Sequence, residues 1–297
     1  MATIAMSGAS GLIGTALVQH LRERGDTVLR LVRQAAVQPD EVGWDPSRCE
    51  LHLEPCRGVD AIVNLSGASI GRRWTPAYRR ELLSSRVDAT RTLARAAAEL
   101  GPHVSLVNAS AVGFYGDRGR LPLTEDVGPG TGFLSDLTQQ WEAATAEASA
   151  AGNRVALART GLVFANAGGA LGPMLPLLKL GVGGPLGPGD QIWPWISLVD
   201  EVRAYTWLID NPIAGPVNLA SPATTTHAEL VKAVARGINR PALLGVPSWA
   251  LRLALGDFAK DIAASQNLVP KVLLDSGFTF EHETVDQLVA WLVSTLN

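Results

Sequence analysis

Along the first two-thirds of the chain, short runs of β-branched and aliphatic residues alternate with longer stretches whose apolar positions recur at helical spacing. The short runs predict strands over 3–7, 27–32, 61–66, 104–109 and 154–160. The longer stretches, 12–24, 76–100 and 134–150, are rich in Ala, Leu, Arg and Glu and predict helices. Alternation of this kind argues for a parallel sheet with helices on both faces, and right-handed crossovers make it doubly wound.

The pattern changes at 168–190, where glycines and prolines forbid long regular structure while the leucines and Met174 still require burial. Two readings stay open for this stretch, a flap over a ligand or an ordinary packed connection. A short β signal follows at 216–220 and can return to the sheet. The tail predicts helices over 228–238, 248–264 and 283–296, suited to a small lobe on the substrate side.

Composition narrows the class of partner. With 297 residues, 47% of them hydrophobic, the chain can bury a large core as one big α/β domain or as a large and a small one. A formal net charge of -3, with both signs scattered, leaves no basic stripe for a phosphate backbone, so the expected partner is a small molecule and not nucleic acid. Cys49 and Cys56 suggest neither a disulfide framework nor a metal site, and the five histidines show no paired ligand spacing. The chain opens directly on a strand and carries no apolar run of membrane-spanning length. A cytoplasmic protein with no membrane association is therefore expected.

The strongest chemical signal is the turn Ser7-Gly8-Ala9-Ser10-Gly11-Leu12-Ile13-Gly14, which joins the first strand to the first helix. In that context Gly8 permits the tight turn, Gly11 lets backbone amides approach a pyrophosphate, and Gly14 lets the helix pack closely on the sheet. Leu12 and Ile13 stand at the positive end of the helix dipole. The second strand ends at Arg33, where a site for the unphosphorylated ribose would offer an acidic side chain. A guanidinium there can pair with a 2′-phosphate, so NADP(H) is favoured over NAD. At the end of the third run, Ser66, Gly67 and Ala68 after Leu65 are small enough to let a cofactor lie against the sheet edge.

With Gly8-Ala-Ser-Gly-Leu-Ile-Gly14, Asn64-Leu-Ser-Gly67, Arg73-Trp74-Thr75, Ser110-Ala-Val-Gly-Phe-Tyr-Gly116, Trp141-Glu142, Arg159-Thr-Gly161, Trp195-Ile-Ser-Leu-Val-Asp200 and Asn218, the chain resembles an atypical extended short-chain dehydrogenase/reductase. Within that superfamily it is similar to the epimerase family proteins, including their C-terminal module after Pro247. The resemblance implies a Rossmann-type doubly wound parallel sheet with a smaller, mostly helical C-terminal substrate lobe. Residues 1–165 would bind NADP(H), and residues 166–297 would form the flap and lobe. It further implies Arg33 at the 2′-phosphate, Leu65 and Ser66 beside the cofactor, Glu81 and Arg86 as a cofactor-side pair on one helix, and Val163 near the nicotinamide.

Catalytic residues are less readily placed. Typical members carry Tyr-x-x-x-Lys, in which the lysine lowers the tyrosine pKa for proton exchange with the substrate oxygen. With Glu142 as the register mark, those positions fall on Leu134 and Thr138, which cannot act so. Ser110 and Tyr115 remain as candidate proton donors, with Asp117, Asp136 and Asp200 more distant, and Trp74, Trp193 and Trp195 could line a substrate pocket. Ser197 stands where the family resembles Trp-Ile-His. Two functions stay open: an NADP-dependent oxidoreductase or epimerase acting on a small carbonyl or sugar-nucleotide-like substrate, and a non-catalytic NADP(H)-binding sensor or interaction protein.

Overall fold

A computed structural model describes residues 1–242, 245–247, 249, 253, 256 and 258–295. Its strands are β1 (Thr3–Ser7), β2 (Thr27–Val32), β3 (Glu41–Asp45), β4 (Glu50–Leu51), β5 (Ala61–Asn64), β6 (Ser105–Ala111), β7 (Pro122–Leu123), β8 (Val155–Thr160), β9 (Leu162–Phe164), β10 (Trp195–Ser197), β11 (Gly215–Leu219) and β12 (Asn267–Leu268). Its helices are α1 (Leu12–Glu23), α2 (Pro76–Leu100), α3 (Phe133–Ala143), α4 (Ala146–Ala150), α5 (Leu175–Lys179), α6 (Leu198–Asp210), α7 (His227–Gly237), α8 (Phe258–Ile262), α9 (Lys271–Asp275) and α10 (Val285–Thr295).

The main sheet runs β11-β8-β6-β5-β1-β2-β3-β4, parallel throughout except for the β3/β4 pair. The chain builds outward from β1 through β2 and β3, then crosses back to β5 and builds the other way. The reversal between β1 and β5 is the switch point at which such sheets hold ligands beyond their carboxyl edge. One face of the sheet packs Leu17, Val18 and Leu21 of α1 with Val202, Tyr205 and Leu208 of α6. The other packs Leu93, Ala94 and Ala97 of α2.

Residues outside the five anticipated strands complete the sheet. Val42 and Trp44 are buried, and the stretch expected to return at 216–220 does so, β11 pairing with β8 in register from Gly215–Ala156 to Leu219–Thr160. The helix expected over 134–150 is two helices. The Thr145 hydroxyl donates to the Glu142 carbonyl at 2.7 Å, a local bond that competes with the helical ladder at the break.

Stretch 168–190 is a packed connection in its central part. Leu171, Leu175 and Leu178 bury against Leu230, Val231 and Val234 of α7 and Leu288 and Leu292 of α10. Of the helix expected over 248–264, Phe258–Ile262 is helical, and much of 248–257 lies outside the described residues. Among the described residues no helix is long and apolar enough to cross a membrane.

Candidate functional site

Only four residues separate β1 from α1. Gly8 has φ +69°, and a Cβ on it would lie 2.6 Å from the Leu65 carbonyl, so this position requires glycine. A Cβ on Gly14 would lie 2.2 Å from the Gly8 oxygen, which is how closely helix and turn approach. Gly11 donates its amide to the Gly8 carbonyl at 3.0 Å and stands at the N-cap of α1 without a side-chain cap or an acidic residue in the first turn. The amides of Leu12, Ile13 and Gly14 have no intrahelical acceptor, and together with the helix dipole they form an anion cradle.

A buried polar network holds the strand ends beneath that cradle. Ser7 donates its hydroxyl to Asn64 Oδ1 at 2.7 Å, and Asn64 Nδ2 donates to Asn108 Oδ1 at 2.7 Å and Thr90 Oγ1 at 2.9 Å. Trp141 Nε1 also donates to Thr90 Oγ1, at 2.9 Å, and the Ser66 amide donates to Asn64 Oδ1 at 3.1 Å. β1, β5, β6, α2 and α3 are thereby locked together directly under Leu65–Gly67. The sequence reading missed this network.

Arg86 supports the loop from below. It donates to the carbonyls of Leu82 and Ala68, both at 3.0 Å, and lies over the Trp141 ring. Burial lowers its pKa to about 10. Gly67 rests on it, since a Cβ there would come within 3.1 Å of Arg86 Cζ. Glu81 and Arg86, expected as a cofactor-side pair, do not share one helix face: five residues turn an α-helix through about 140° beyond one full turn. Glu81 is exposed and makes no ion pair with Arg86.

Arg33, just past β2, is exposed and has no ion-pair partner among the described residues. It borders a cleft of about 290 Å³ with Asp45, Pro46 and Ser47 on one side and Ser84, Ser85 and Asp88 of α2 on the other. The free guanidinium, the glycine cradle and the uncapped helix end fit a pyridine dinucleotide phosphate, with Arg33 at its extra phosphate and the α1 terminus at its pyrophosphate. Among the described residues no three of His, Cys, Asp or Glu are grouped to hold a metal ion.

The expected proton donors are engaged elsewhere. Ser110 donates to Glu142 Oε1 at 2.6 Å. Glu142 is held by Arg159 through two bonds, Nε–Oε1 and Nη2–Oε2, each 2.8 Å. Arg159 Nη1 donates to the Tyr115 hydroxyl at 3.0 Å, and Tyr115 donates to Asn218 Oδ1 at 2.8 Å. Tyr115 is 0% exposed, and burial raises its pKa. The structure places this expected donor as a buried strut, its hydroxyl engaged by Asn218 and Arg159. Thr138 turns its hydroxyl onto the Leu134 carbonyl at 2.7 Å.

The remaining candidates are placed as follows. Asp117 accepts the Gly119 and Ser265 amides, and Asp136 is exposed on α3. Asp200 is buried and accepts the amides of Glu281 and His282 and the hydroxyl of Ser197, while His282 Nδ1 lies 2.9 Å from Ser197 Oγ. This cluster pins the C-terminal module to α6. Trp74, Trp193 and Trp195 are buried in the packing; Trp74 meets Phe133 edge-on and lies tilted against Phe258. Val163 is half-buried in β9, and its carbonyl accepts the Ala170 amide.

A doubly wound sheet with this glycine cradle and an extended C-terminal lobe defines a dinucleotide-binding protein of the short-chain dehydrogenase/reductase type. The chain belongs to the NAD dependent epimerase/dehydratase family, whose sequence profile matches residues 4–220. A second profile, described only as a domain of unknown function, matches 246–292. An epimerase family protein of Mycobacterium bovis is 44% identical over 293 residues, covering 98% of this chain and 97% of the relative.

Two solved structures extend the comparison. The human epimerase family protein SDR39U1 (isoform 2), determined with NADPH, superposes with a TM-score of 0.90 at 28% identity over 99% of this chain and 100% of its own. A nucleoside-diphosphate sugar epimerase from Corynebacterium glutamicum superposes at 0.80 with 33% identity, covering 98% of this chain and 58% of the longer one.

Proposed function

We propose that this protein binds NADP(H) and acts as an oxidoreductase or epimerase on a small carbonyl or sugar-nucleotide-like substrate. The observation that carries the cofactor assignment is the unpaired Arg33 in its cleft, on the far side of β1 from the nicotinamide half of the site. Bound NADP(H) supplies a hydride donor or acceptor. The chain's own residues bind the phosphates through Arg33 and the α1 terminus, and hold Leu65–Gly67 in place through Asn64 and Arg86. The solved human relative with NADPH supports this reading.

A non-catalytic, NADP(H)-binding sensor is the second reading. It is favoured by Leu134 and Thr138 in the acid/base positions and by the sealed Tyr115 hydroxyl. Calorimetry with NADPH and NADH, followed by an NADPH-absorbance screen over carbonyls and sugar nucleotides, separates the cases. Uptake of NADPH with turnover of a panel member supports the enzyme. Tight uptake with no hydride exchange across the panel supports the sensor, and uptake of neither nucleotide overturns both. A cytoplasmic location belongs to the same proposal, with the unbridged Cys49 and Cys56 as its support.

A further inference from the structure

The first turn of α6 carries a carboxylic acid that the site described above leaves unexplained. Glu201 is 0% exposed and packs under the carboxyl tip of β8. Its Oε1 accepts the Thr160 hydroxyl at 2.8 Å, whereas Oε2 has no partner among the described residues. Among the described residues no cation pairs with it. Burial pushes the carboxyl up to about 8, with the Thr160 bond working in the other direction. An acid buried without a counter-charge is held neutral near pH 7.

The groups on the surrounding elements leave Glu201 alone. Arg159 precedes Thr160 on β8, but successive strand residues point to opposite faces, and its guanidinium is engaged by Glu142. Arg154, at the other end of β8, is tied to the carbonyls of Leu208, Ile209 and Ile213. On α6 itself, Asp200 and Arg203 pair with each other and with the C-terminal module. α1 has no acidic residue in its first turn and carries His20, Arg22 and Glu23 at its far end. β6, β9 and β10 present no charged side chain here.

Thr160 links this acid to the ligand side. It is half-exposed at the last position of β8, immediately before the Gly161 turn, whose own Cβ would meet the Pro194 oxygen at 2.3 Å. A dinucleotide with its adenosine phosphate at Arg33 would cross β1 toward the carboxyl edge formed by β5, β6 and β8. The oxidised nicotinamide ring is positively charged and the reduced ring is neutral, so only the oxidised form would favour an ionised carboxylate near it.

We propose that Glu201 is a proton-holding group of the cofactor site, losing its proton to solvent when oxidised NADP binds, with the Thr160 hydroxyl donating to the carboxylate that forms, and keeping it when NADPH binds. The balance is simple: one O–H bond of the carboxyl is lost, one proton leaves, and the carboxylate charge offsets that of the ring. The proposal rests on the NADP(H) reading above, and its test separates the two.

Calorimetry of the full chain at pH 7, in buffers of different ionisation enthalpy, counts protons released with each nucleotide. Release that originates in the 2′-phosphate is common to both nucleotides and cancels in the difference. NADP⁺ is expected to release roughly half a proton more than NADPH. Glu201→Gln is expected to bind both nucleotides and abolish the difference. Binding without a difference in the wild type, or a difference that survives in Glu201→Gln, overturns the proposal, whereas failure to bind either nucleotide overturns the cofactor reading itself.

Should Glu201→Gln not fold, infrared difference spectra of the wild type decide the matter. Loss of a protonated-carboxyl band with NADP⁺ but not with NADPH supports the assignment, provided Thr160→Val shifts that band. A band unchanged by NADP⁺, or insensitive to Thr160→Val, overturns it.

Discussion

Glu142 and Arg159 meet as a two-point ion pair between α3 and β8, with side chains 10% and 5% exposed. Arg159 also lies 3.5 Å from the Phe114 ring centroid, so its charge is satisfied on the edge and the face of the guanidinium. Removing one partner of a buried pair leaves the other charge stranded, which costs about 3 to 5 kcal/mol. Glu142→Ala is therefore expected to lower the urea midpoint by that equivalent. The double variant Glu142→Leu/Arg159→Met is expected to recover much of the loss, and equal losses in both would show that the pair's charge balance is not what matters.

Tyr115 distinguishes strut from proton donor. Tyr115→Phe leaves Arg159 Nη1 and Asn218 Oδ1 each without a partner, for a loss of about 1 to 3 kcal/mol in stability. NADPH affinity is expected to stay within about twofold, as the hydroxyl is sealed from ligand. A variant of wild-type stability with a large loss of turnover would return Tyr115 to the chemistry.

Arg33→Ala is expected to raise the NADPH dissociation constant about tenfold or more, because a charge-assisted phosphate contact contributes roughly 1.5 to 3 kcal/mol. NADH binding should hardly change. Calorimetry showing equal losses for the two nucleotides would remove the 2′-phosphate role.

Gly14→Ala places a methyl group 2.2 Å from the Gly8 oxygen, a contact that only backbone movement can relieve. The turn must open, and the amides of Leu12 and Ile13 shift with it. Loss of binding of NADPH and NADH alike, by about tenfold or more, is the expected result. Unaltered affinity for both would mean that the phosphates do not rest on this turn.

His227 is buried against the Trp193 ring, and its Nδ1 accepts the Leu186 amide at 3.2 Å. Burial lowers its pKa from 6.5 to about 4. Between those values the unfolded chain binds more protons than the folded one, so this residue's contribution is complete above pH 6.5 and falls away toward pH 4, by on the order of 3 kcal/mol. Glu201 acts in the opposite sense, its raised pKa destabilising the fold as pH rises from 4.5 toward 8. Urea denaturation of wild type and His227→Leu from pH 7 to 4 isolates the first effect as a narrowing gap between the two curves.

The five central strands were legible because each buries residues on both faces and so reads as an apolar run: Ala61–Asn64 is buried at every position. β3 was not, because Glu41-Val-Gly-Trp-Asp45 buries only Val42 and Trp44 between charged ends. The cofactor turn was legible because its glycines are local geometry. The fate of Ser110 was not, since Glu142 lies 32 residues away and only the fold brings them together. Opposite charges at Glu142 and Arg159, each set among apolar neighbours, were a signal that could have exposed the pair. Glu201 was similarly readable, because it shares the buried helical face of Tyr205 and Leu208.

Asn218 sits on β11, the last strand of the sheet, and its Nδ2 donates to the carbonyls of Leu123 and Val269, while Glu125 Oε1 accepts both the Asn218 and Val272 amides. The C-terminal segment is therefore a cover over what would otherwise be a bare strand margin, the kind of surface on which chains stack into aggregates. Removing that segment would bare the margin of β11 to solvent and to neighbouring chains.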